Sequence, residues 1–200
     1  MECIGMNICV YGAASADIDK SFIETVEKLG RLIAEGGHGL VFGGGAAGMM
    51  GAAARGAYSA NGKIIGVIPT FFNVDGVLFE HCDELIRTET MRERKQIMED
   101  RADAFITTPG GIGTFEEFFE ILTLKQLGRH TKPIVILNTN GYYNSMLAML
   151  DMAIEKEFLS EASKKLFHVC DTPEQAMEYI KNYVPEGYNI LEVRKIKNKR

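Results

Sequence analysis

Short apolar runs alternate along the chain with longer segments in which apolar residues recur at helical spacing. The runs predict buried strands of a parallel sheet, and the periodic segments predict amphipathic helices. The predicted strands are Met6–Tyr11, Gly39–Phe42, Lys63–Ile68, Asp83–Thr88, Ala104–Thr108, Pro133–Leu137 and Leu166–Cys170. The predicted helices run from Asp17 or Asp19 to Glu35, over Met49–Ala60 and Met91–Ala102, from Thr114 to near Gly128, over Tyr142–Lys156, and from Thr172 to near Tyr183, with a helical turn at Ser160–Lys165.

The regular alternation of strand and helix decides the fold class. It predicts right-handed βαβ units, and therefore an α/β fold: a three-layer, Rossmann-like, doubly wound and mostly parallel sheet of six to seven strands. Three turns of small residues, Gly12–Ser15, Gly43–Gly48 and Gly110–Thr114, each follow a predicted strand. Because the carboxyl ends of parallel strands share one edge of the sheet, we expect all three turns at the edge where such folds bind ligands.

One stretch, Ala104–Glu120, combines a buried strand, a glycine turn and a helix. A chain that turns through Gly110 and Gly111 into a helix N-terminus directs several free backbone N–H groups at one point, which favours an anion such as a phosphate. The same residues also fit a simple capping box, with Thr114 at the N-cap and Glu117 at the third helical position. The local pattern alone leaves both interpretations open.

The composition is that of one globular domain. The 200 residues are 46% apolar, which is enough for a sizeable core. We expect a single domain over residues 1–185 and a basic tail over residues 186–200, which contains Arg194, Lys195, Lys197, Lys199 and Arg200. The net charge of −5 gives no overall attraction to nucleic acid or to an anionic membrane, and the tail is interpreted as a solvated chain end.

The cysteines and histidines predict neither a disulfide framework nor a metal site. Cys3, Cys9, Cys82 and Cys170 are widely spaced, and the histidines lack metal-binding spacing. No apolar run approaches the roughly 18 residues of a membrane span. The N-terminus also lacks the basic region of a signal peptide. These features together predict a cytoplasmic protein with reduced thiols.

Several familiar cofactor-binding and catalytic motifs are incomplete or absent in this sequence. Gly43, Gly45 and Gly48 match the spacing of the dinucleotide fingerprint, but they follow the second predicted strand, and Ile68 stands where an acidic residue would bind the ribose. Neither glycine turn is followed by the Lys-Ser or Lys-Thr of a P-loop. No local pattern indicates a Schiff-base lysine, and the sequence contains no GxSxG nucleophile elbow. The sequence therefore names no cofactor.

Four segments occur in the order and at the spacing of one known family. Pro109–Glu117 reads PGGIGTFEE, Phe42–Gly51 reads FGGGAAGMMG, Met91–Lys95 reads MRERK, and Gln126–Pro133 contains QLG and KP. They resemble the PGGxGTxxE, YGGGxxGLMG, MHxRK and QLGxHxKP motifs of the LONELY GUY family, and Asn140–Tyr143 follows as in that family. The resemblance covers most of residues 6–180.

The resemblance implies an enzyme that hydrolyses purine riboside 5′-monophosphates, of cytokinin type or AMP, to the free base and ribose 5-phosphate. It implies catalytic roles for Glu117, which would stabilise an oxocarbenium-like state or orient water, and for Arg94, which would orient Glu117 and the nucleotide. The residues that it implies for substrate and phosphate binding are Gly44, Gly45, Met91, Lys95, Gly110, Gly111, Ile112, Gly113, Thr114, Glu116 and Thr123. Arg92 would border the base, and Asp75 and Glu80 are further candidates from the loop after the third strand. The resemblance also implies a homodimer with the site near its interface.

The sequence departs from the family pattern at two places. Arg92 stands where the family usually has His, and Gly12–Ser15 reads GAAS where the family usually has CGSS. Two other functions stay open at this stage. One is a non-catalytic nucleotide or cofactor carrier of similar architecture, such as the molybdenum-cofactor carriers. The other is an NAD-dependent enzyme, against which the missing acidic residue argues.

Overall fold

The computed structural model describes residues 5–72 and 76–185. Its strands are β1 (Asn7–Tyr11), β2 (Gly39–Phe42), β3 (Ile64–Pro69), β4 (Glu84–Thr88), β5 (Ala104–Thr107), β6 (Ile134–Leu137) and β7 (His168–Cys170). Its α-helices are α1 (Lys20–Glu35), α2 (Gly48–Ser59), α3 (Met91–Arg101), α4 (Ile112–Gln126), α5 (Asn144–Glu155) and α6 (Pro173–Lys181). Three short 3₁₀ segments lie at Thr70–Phe72, Thr139–Gly141 and Glu161–Leu166.

The strands form one sheet in the order β4-β3-β2-β1-β5-β6-β7. Every pairing between neighbouring strands is parallel; Ile8 of β1, for example, pairs with Leu40 of β2 and with Ala104 of β5. The predicted doubly wound α/β fold with six to seven strands is therefore confirmed. The parallel arrangement explains the uninterrupted apolar runs, because both faces of such a sheet are covered by helices.

Alternate residues of each strand enter two separate cores. Ile8 and Val10 of β1 pack with side chains of α1, α2 and α6 on one face. Cys9 and Tyr11 pack on the other face with side chains of α3 and α4, including Phe118. The small residues of α2 let it approach α1 closely, since a side chain on Gly56 would meet the backbone carbonyl of Glu27.

Helix caps account for several of the predicted boundaries. Asp19 caps α1, where its carboxylate accepts a hydrogen bond from the backbone N–H of Ser21 at 2.9 Å. Thr172 and Gln175 form a capping box at the start of α6, where Pro173 is the first helical residue. The predicted start of α5 at Tyr142 is two residues early, because the 3₁₀ segment Thr139–Gly141 intervenes.

The predicted capping box at the start of α4 is wrong. The helix begins at Ile112 with Gly111 at the N-cap, and no side chain caps it. Thr114 is instead a buried residue inside the first turn, and Glu117 lies beyond that turn. Gly111 supplies no side chain, so the helix N-terminus remains open toward the adjoining cavity. The interpretation of this stretch as simple capping is thereby excluded.

The sheet order contains a switch point between β1 and β5. From β1 the chain winds outward through β2, β3 and β4, and β5 then returns to the other side of β1. In doubly wound sheets the crevice at such a point holds the ligand. Here the two flanking turns touch, because the backbone N–H of Ala13 donates a hydrogen bond to the carbonyl of Pro109 at 3.3 Å.

Some of the predictions fall on residues that the structure does not describe. The basic tail of residues 186–200, Cys3 and the candidate Asp75 all lie outside the described residues. Among the helices of the described part, none is long and apolar enough to cross a membrane.

Candidate active site

A cavity of about 590 Å³ lies at the switch point, beyond the carboxyl ends of the strands. The turns after β1, β2 and β5 and the starts of α3 and α4 surround it. Its lining residues are Gly12, Ala13, Ala14, Ser15, Gly43, Gly45, Ala47, Met50, Ile68, Pro69, Phe72, Gly76, Val77, Met91, Arg94, Gly111, Gly113, Thr114 and Glu117. The charged side chains of the lining, Arg94 and Glu117, come from α3 and α4, and the large apolar side chains come mostly from α2, β3 and the loop after β3.

The turn after β5 has the geometry of an anion site. Gly111, Gly113 and Thr114 line the cavity, at the end of α4 where the first backbone N–H groups have no partner within the helix. Those groups and the helix dipole favour a negative charge. Gly110 needs to be glycine for a separate reason, since a Cβ atom there would lie 2.1 Å from Oγ1 of Thr114.

Arg94 and Glu117 form an ion pair inside the cavity. Nη1 of Arg94 donates a hydrogen bond to Oε1 of Glu117 at 2.9 Å, and the two side chains are only 8% and 11% exposed. Nε of Arg94 donates to the carbonyl of Val67 at 3.1 Å. The guanidinium is thus fixed between a strand carbonyl and the carboxylate, so the position of Glu117 is fixed as well.

The start of α3 brings Arg94 to this position. Thr90 is the N-cap of α3, and its Oγ1 accepts a hydrogen bond from the backbone N–H of Glu93 at 3.1 Å. The Glu93 side chain in turn accepts from the backbone N–H of Glu89 at 2.9 Å. This reciprocal arrangement places Arg94 near the beginning of the helix, beside the carboxyl end of β3.

Burial raises the pKa of Glu117 above that of an ordinary glutamate. The positive charge of Arg94 and its hydrogen bond oppose this effect and lower the pKa, but they do not cancel it. A carboxylate withdrawn from water, with one fixed cation beside it, interacts strongly with positive charge that develops nearby.

Lys95 and Glu116 do not line the cavity. The Lys95 ammonium pairs with Glu116 and, at 2.9 Å, with Glu120, so the three side chains tie α3 to α4 beside the site. Burial disfavours the charged form of Lys95, but its hydrogen bonds to both glutamates outweigh burial and raise its pKa. The pair therefore braces the two helices that carry Arg94 and Glu117.

The structure brings most of the remaining predicted residues to the cavity, but not all. Gly45 and Met91 line it together with the residues already described. Gly44, Gly110 and Ile112 belong to the same turns without lining it, and Arg92 and Glu80 are exposed outside it. Thr123 lines a different cavity, of about 490 Å³, between α4 and α5.

The sequence did not identify the apolar wall. Met50 of α2, Ile68 and Pro69 of β3, and Phe72 and Val77 of the following loop all line the cavity. The length of that loop was the available signal, because long loops in compact domains often carry function. The turn after β1 was noted as small, but its residues were not assigned to the site.

Across residues 5–72 and 76–185, no group of three or more His, Cys, Asp or Glu side chains is arranged to hold a metal ion.

Comparison with known proteins identifies the family to which the chain belongs. The family model described as "Possible lysine decarboxylase" matches residues 50–180. A cytokinin riboside 5′-monophosphate phosphoribohydrolase of Oryza sativa is 36% identical over 90% of this chain and 74% of its own length. The chain belongs to the LONELY GUY family. A second relative, a cytokinin riboside 5′-monophosphate phosphoribohydrolase of Arabidopsis thaliana, is 34% identical over 90% of this chain and 84% of its own length.

Solved structures similar to this LONELY GUY family member include molybdenum-cofactor proteins. The molybdenum cofactor binding protein of Rippkaea orientalis is 26% identical, with a TM-score of 0.70, over 90% of this chain and 98% of its own. The molybdenum cofactor carrier protein of Chlamydomonas reinhardtii is also 26% identical, with a TM-score of 0.66, over 88% of this chain and 96% of its own.

Proposed function

We propose that this protein is a nucleoside 5′-monophosphate phosphoribohydrolase, acting on purine nucleotides of the AMP or cytokinin type. The observation that carries the proposal is the buried Arg94–Glu117 pair, at 2.9 Å, in the same cavity as the open N-terminus of α4. Curated relatives over 30% identical are named as phosphoribohydrolases, which supports this assignment.

In this proposal the 5′-phosphate binds at the N-terminus of α4. Gly111, Gly113 and Thr114 line the cavity there, and the Gly43–Gly45 turn faces them from the end of β2. Backbone N–H groups at a helix start bind phosphate without requiring a lysine or arginine. Anchoring the phosphate at this point places the ribose beside Glu117.

Glu117 and Arg94 then act on the N-glycosidic bond. As that bond breaks, positive charge develops on the ribose ring, as in glycoside hydrolysis. The buried Glu117 carboxylate stabilises this charge, and Arg94 holds the carboxylate in place. The oxygen of a water molecule bonds to C1′, and the departing base takes up the proton, so the products are ribose 5-phosphate and the free base.

The apolar wall is the natural place for the base. The wall consists of the side chains of Met50, Ile68, Phe72, Val77 and Met91. They offer no hydrogen-bond donor and no acceptor stronger than a thioether sulfur, so a wall of this kind binds mainly by contact with apolar surface. It therefore suits a purine ring and an apolar substituent on that ring.

A second candidate, a cofactor carrier without catalytic activity, follows from the likeness to the molybdenum-cofactor proteins. The Arg94–Glu117 pair argues for the hydrolase, because a carrier needs the anion-binding turn but no buried carboxylate at the ribose position. Turnover separates the two candidates.

We also propose a homodimer, in keeping with the family resemblance. Within α5, which is described throughout, no residue is buried, although the helix is rich in apolar residues. Met149 and Met152 are 48% and 55% exposed. By contrast, the apolar side of α4 lies mostly in the core, where Phe118 is completely buried. The α5 face is thus the better candidate for the subunit interface. A cytoplasmic location stays a prediction from the sequence.

The test is release of free base from AMP and from isopentenyladenosine monophosphate, followed by chromatography. Wild-type protein is expected to release base from at least one of them, and the Glu117→Gln and Arg94→Ala variants are expected to release none. Wild-type protein that binds these nucleotides but releases no base would instead support the carrier.

A further inference from the structure

Two adjacent tyrosines donate hydrogen bonds to the glycine turn from the neighbouring strand connection. Oη of Tyr142 donates to the carbonyl of Gly110 at 2.6 Å, and Oη of Tyr143 donates to the carbonyl of Thr108 at 2.7 Å. The carbonyl between them, on Pro109, accepts from the backbone N–H of Ala13. Consecutive carbonyl oxygens of the turn are therefore all held by donors.

Neither tyrosine lines the cavity, so their effect is exerted through the turn. In a trans peptide the C=O and the next N–H lie in one plane and point in opposite directions. The carbonyl of Gly110 and the N–H of Gly111 share such a plane, and Gly111 does line the cavity. A hydroxyl that fixes the Gly110 carbonyl on the far side thus directs the Gly111 N–H into the cavity.

The Tyr142 ring is 44% exposed, and two aromatic neighbours orient it. It packs edge-on against Phe22 of α1, with ring centroids 6.1 Å apart, and against Tyr143, with centroids 5.0 Å apart. The turn that precedes it is fixed by Asn138, whose Oδ1 accepts from the backbone N–H of Tyr143 at 2.7 Å. Asn140 adds a link to α1 through Oγ of Ser21, at 2.9 Å.

We propose that Tyr142 is a positioning residue for anion binding: its hydroxyl aligns the Gly110–Gly111 peptide so that the Gly111 N–H donates to the substrate phosphate. The proposal rests on the proposed function only in taking that phosphate as the occupant of the turn. Fixing the peptide plane in advance keeps the carbonyl oxygen, which would repel the phosphate, turned away from it.

Tyr143 provides a matched contrast. It donates to the carbonyl of Thr108, and the next residue is Pro109, which has no N–H. Loss of the Tyr143 hydroxyl therefore leaves a buried carbonyl without its donor and weakens the fold, but it releases no N–H from the phosphate. The two hydroxyls thus differ in function although they make the same kind of bond.

The experiment compares Tyr142→Phe, Tyr143→Phe and Tyr183→Phe with the wild type. Tyr183 is a remote control, because its hydroxyl donates to the carbonyl of Thr131 at 2.8 Å, away from the cavity. Calorimetry measures the binding of ribose 5-phosphate and of ribose. Kinetic assays with AMP give KM and kcat, and circular dichroism gives the melting temperature.

Tyr142→Phe is expected to weaken ribose 5-phosphate binding about five- to tenfold, with ribose binding and the melting temperature nearly unchanged. With AMP as substrate, KM rises by a similar factor and kcat changes little, because the phosphate is held equally in ground and transition states. Tyr143→Phe lowers the melting temperature by several degrees and leaves ribose 5-phosphate binding unchanged, and Tyr183→Phe leaves that binding unchanged too.

Three results would overturn the inference: wild-type affinity of Tyr142→Phe for ribose 5-phosphate, an equal loss of affinity in Tyr143→Phe, or no binding of ribose 5-phosphate by the wild type. The proposed function fails separately, if the wild type binds nucleotide but releases no base. A wild type without turnover whose phosphate binding depends on Tyr142 would leave the positioning role standing.

Discussion

The guanidinium of Arg94 occupies the space that a side chain at position 43 would need. A Cβ atom on Gly43 would lie 1.9 Å from Nη2 of Arg94. The backbone of Gly43 has no positive φ, so glycine is required by the close approach of side chains: Arg94 first, and Sδ of Met50 second, at 2.8 Å. The first glycine of the turn after β2 therefore leaves room for the Arg94–Glu117 ion pair.

Gly43→Ala should consequently displace Arg94 and lower kcat/KM for AMP about a hundredfold, the usual result of moving a catalytic group by about 1 Å. Because Arg94→Ala is expected to release no base, the decisive measurement is a double-mutant cycle of Gly43→Ala and Arg94→Ala in the Kd for AMP. If Gly43 acts by leaving room for Arg94, Gly43→Ala weakens AMP binding in the wild-type background but changes it little in the Arg94→Ala background. Additive losses in the cycle would contradict this explanation.

Removal of Arg94 should destabilise the fold in a pH-dependent way. Arg94→Ala leaves the Glu117 carboxylate buried without its partner, which typically costs about 3–5 kcal/mol. The loss of Arg94 also removes the effect that opposes burial, so the pKa of Glu117 rises further. A group with a raised pKa in the folded state costs stability as the pH rises through the range above its ordinary pKa of 4.5.

The stability difference between Arg94→Ala and the wild type is therefore smallest below pH 4.5 and grows as the pH rises. Urea unfolding across this range measures it, and a carbon-detected NMR titration follows the Glu117 carboxyl directly. The Arg94→Ala/Glu117→Gln variant is the control, in which the pH dependence should disappear. A stability difference that does not change with pH would refute the assignment to Glu117.

Gly113→Ala separates stability from ligand binding. A Cβ atom at this position meets nothing within 4 Å and Gly113 lines the cavity, so the added methyl group extends into open space there. Replacing glycine by alanine inside a helix usually stabilises by about 0.5–1 kcal/mol. We expect a higher melting temperature together with a KM for AMP raised about tenfold, and Gly113→Leu should abolish binding. Unchanged KM values in both variants would place the phosphate elsewhere.

Lys125 is fully buried on α4, and burial lowers its pKa to about 8. A lysine whose pKa is lowered in the folded state reduces stability at neutral pH, and the reduction disappears as the pH rises from about 8 to its ordinary pKa of 10.5. Lys125→Met, which keeps an unbranched side chain but removes the ammonium, should be more stable than the wild type at pH 7. The gain is on the order of 1–3 kcal/mol, because the lost contact of the ammonium with the Tyr183 ring, at 5.0 Å, offsets part of the relieved burial. Guanidinium unfolding at pH 7 and pH 10 tests this, and an advantage that persists at pH 10 would show another cause.

Charges on α5 should dissociate the proposed dimer. Met149 and Met152 are exposed, and a glutamate at either position introduces a charge that an apolar interface would bury without a partner. Met152→Glu is expected to sediment as a monomer at concentrations where the wild type is a dimer, whereas Lys156→Glu, at the exposed end of the helix, serves as the control. Dimers of Met152→Glu as stable as those of the wild type would exclude this face.

Local sequence signals determined most of the fold. The continuous apolar runs of β2 and β6 are typical of buried strands in a parallel sheet. Asp19 and Thr172 cap their helices by accepting hydrogen bonds from backbone N–H groups two or three residues further on, which is a signal that the local sequence contains. The start of α4 was missed because Thr114 followed by Glu117 satisfies the capping pattern locally. Burial decides otherwise, since Thr114 is only 3% exposed and lies inside the first turn, where its side chain does not cap the helix.

Only part of the candidate site could be predicted from the sequence. The glycine turn was found from the local strand–turn–helix pattern, and Arg94 and Glu117 were assigned through the family motifs; the structure brings them together in one cavity. Met50, Phe72 and Val77 were not found, because an apolar side chain at a ligand cavity has the same sequence signature as one in the core. Thr123 lies one turn beyond Glu120, but helix α4 directs it to the groove against α5.

The two halves of the cavity have different origins in the chain. Arg94, the glycine turn and Glu117 come from the continuous unit α3–β5–α4, whereas Met50 and Phe72 come from α2 and the loop after β3. Apart from Met91, which begins α3, the apolar wall can therefore change without changing the segment that carries Arg94 and Glu117. Selection can therefore change which base the enzyme accepts while the residues proposed for bond cleavage stay the same. Members of this fold can acquire new substrate preferences without losing the reaction.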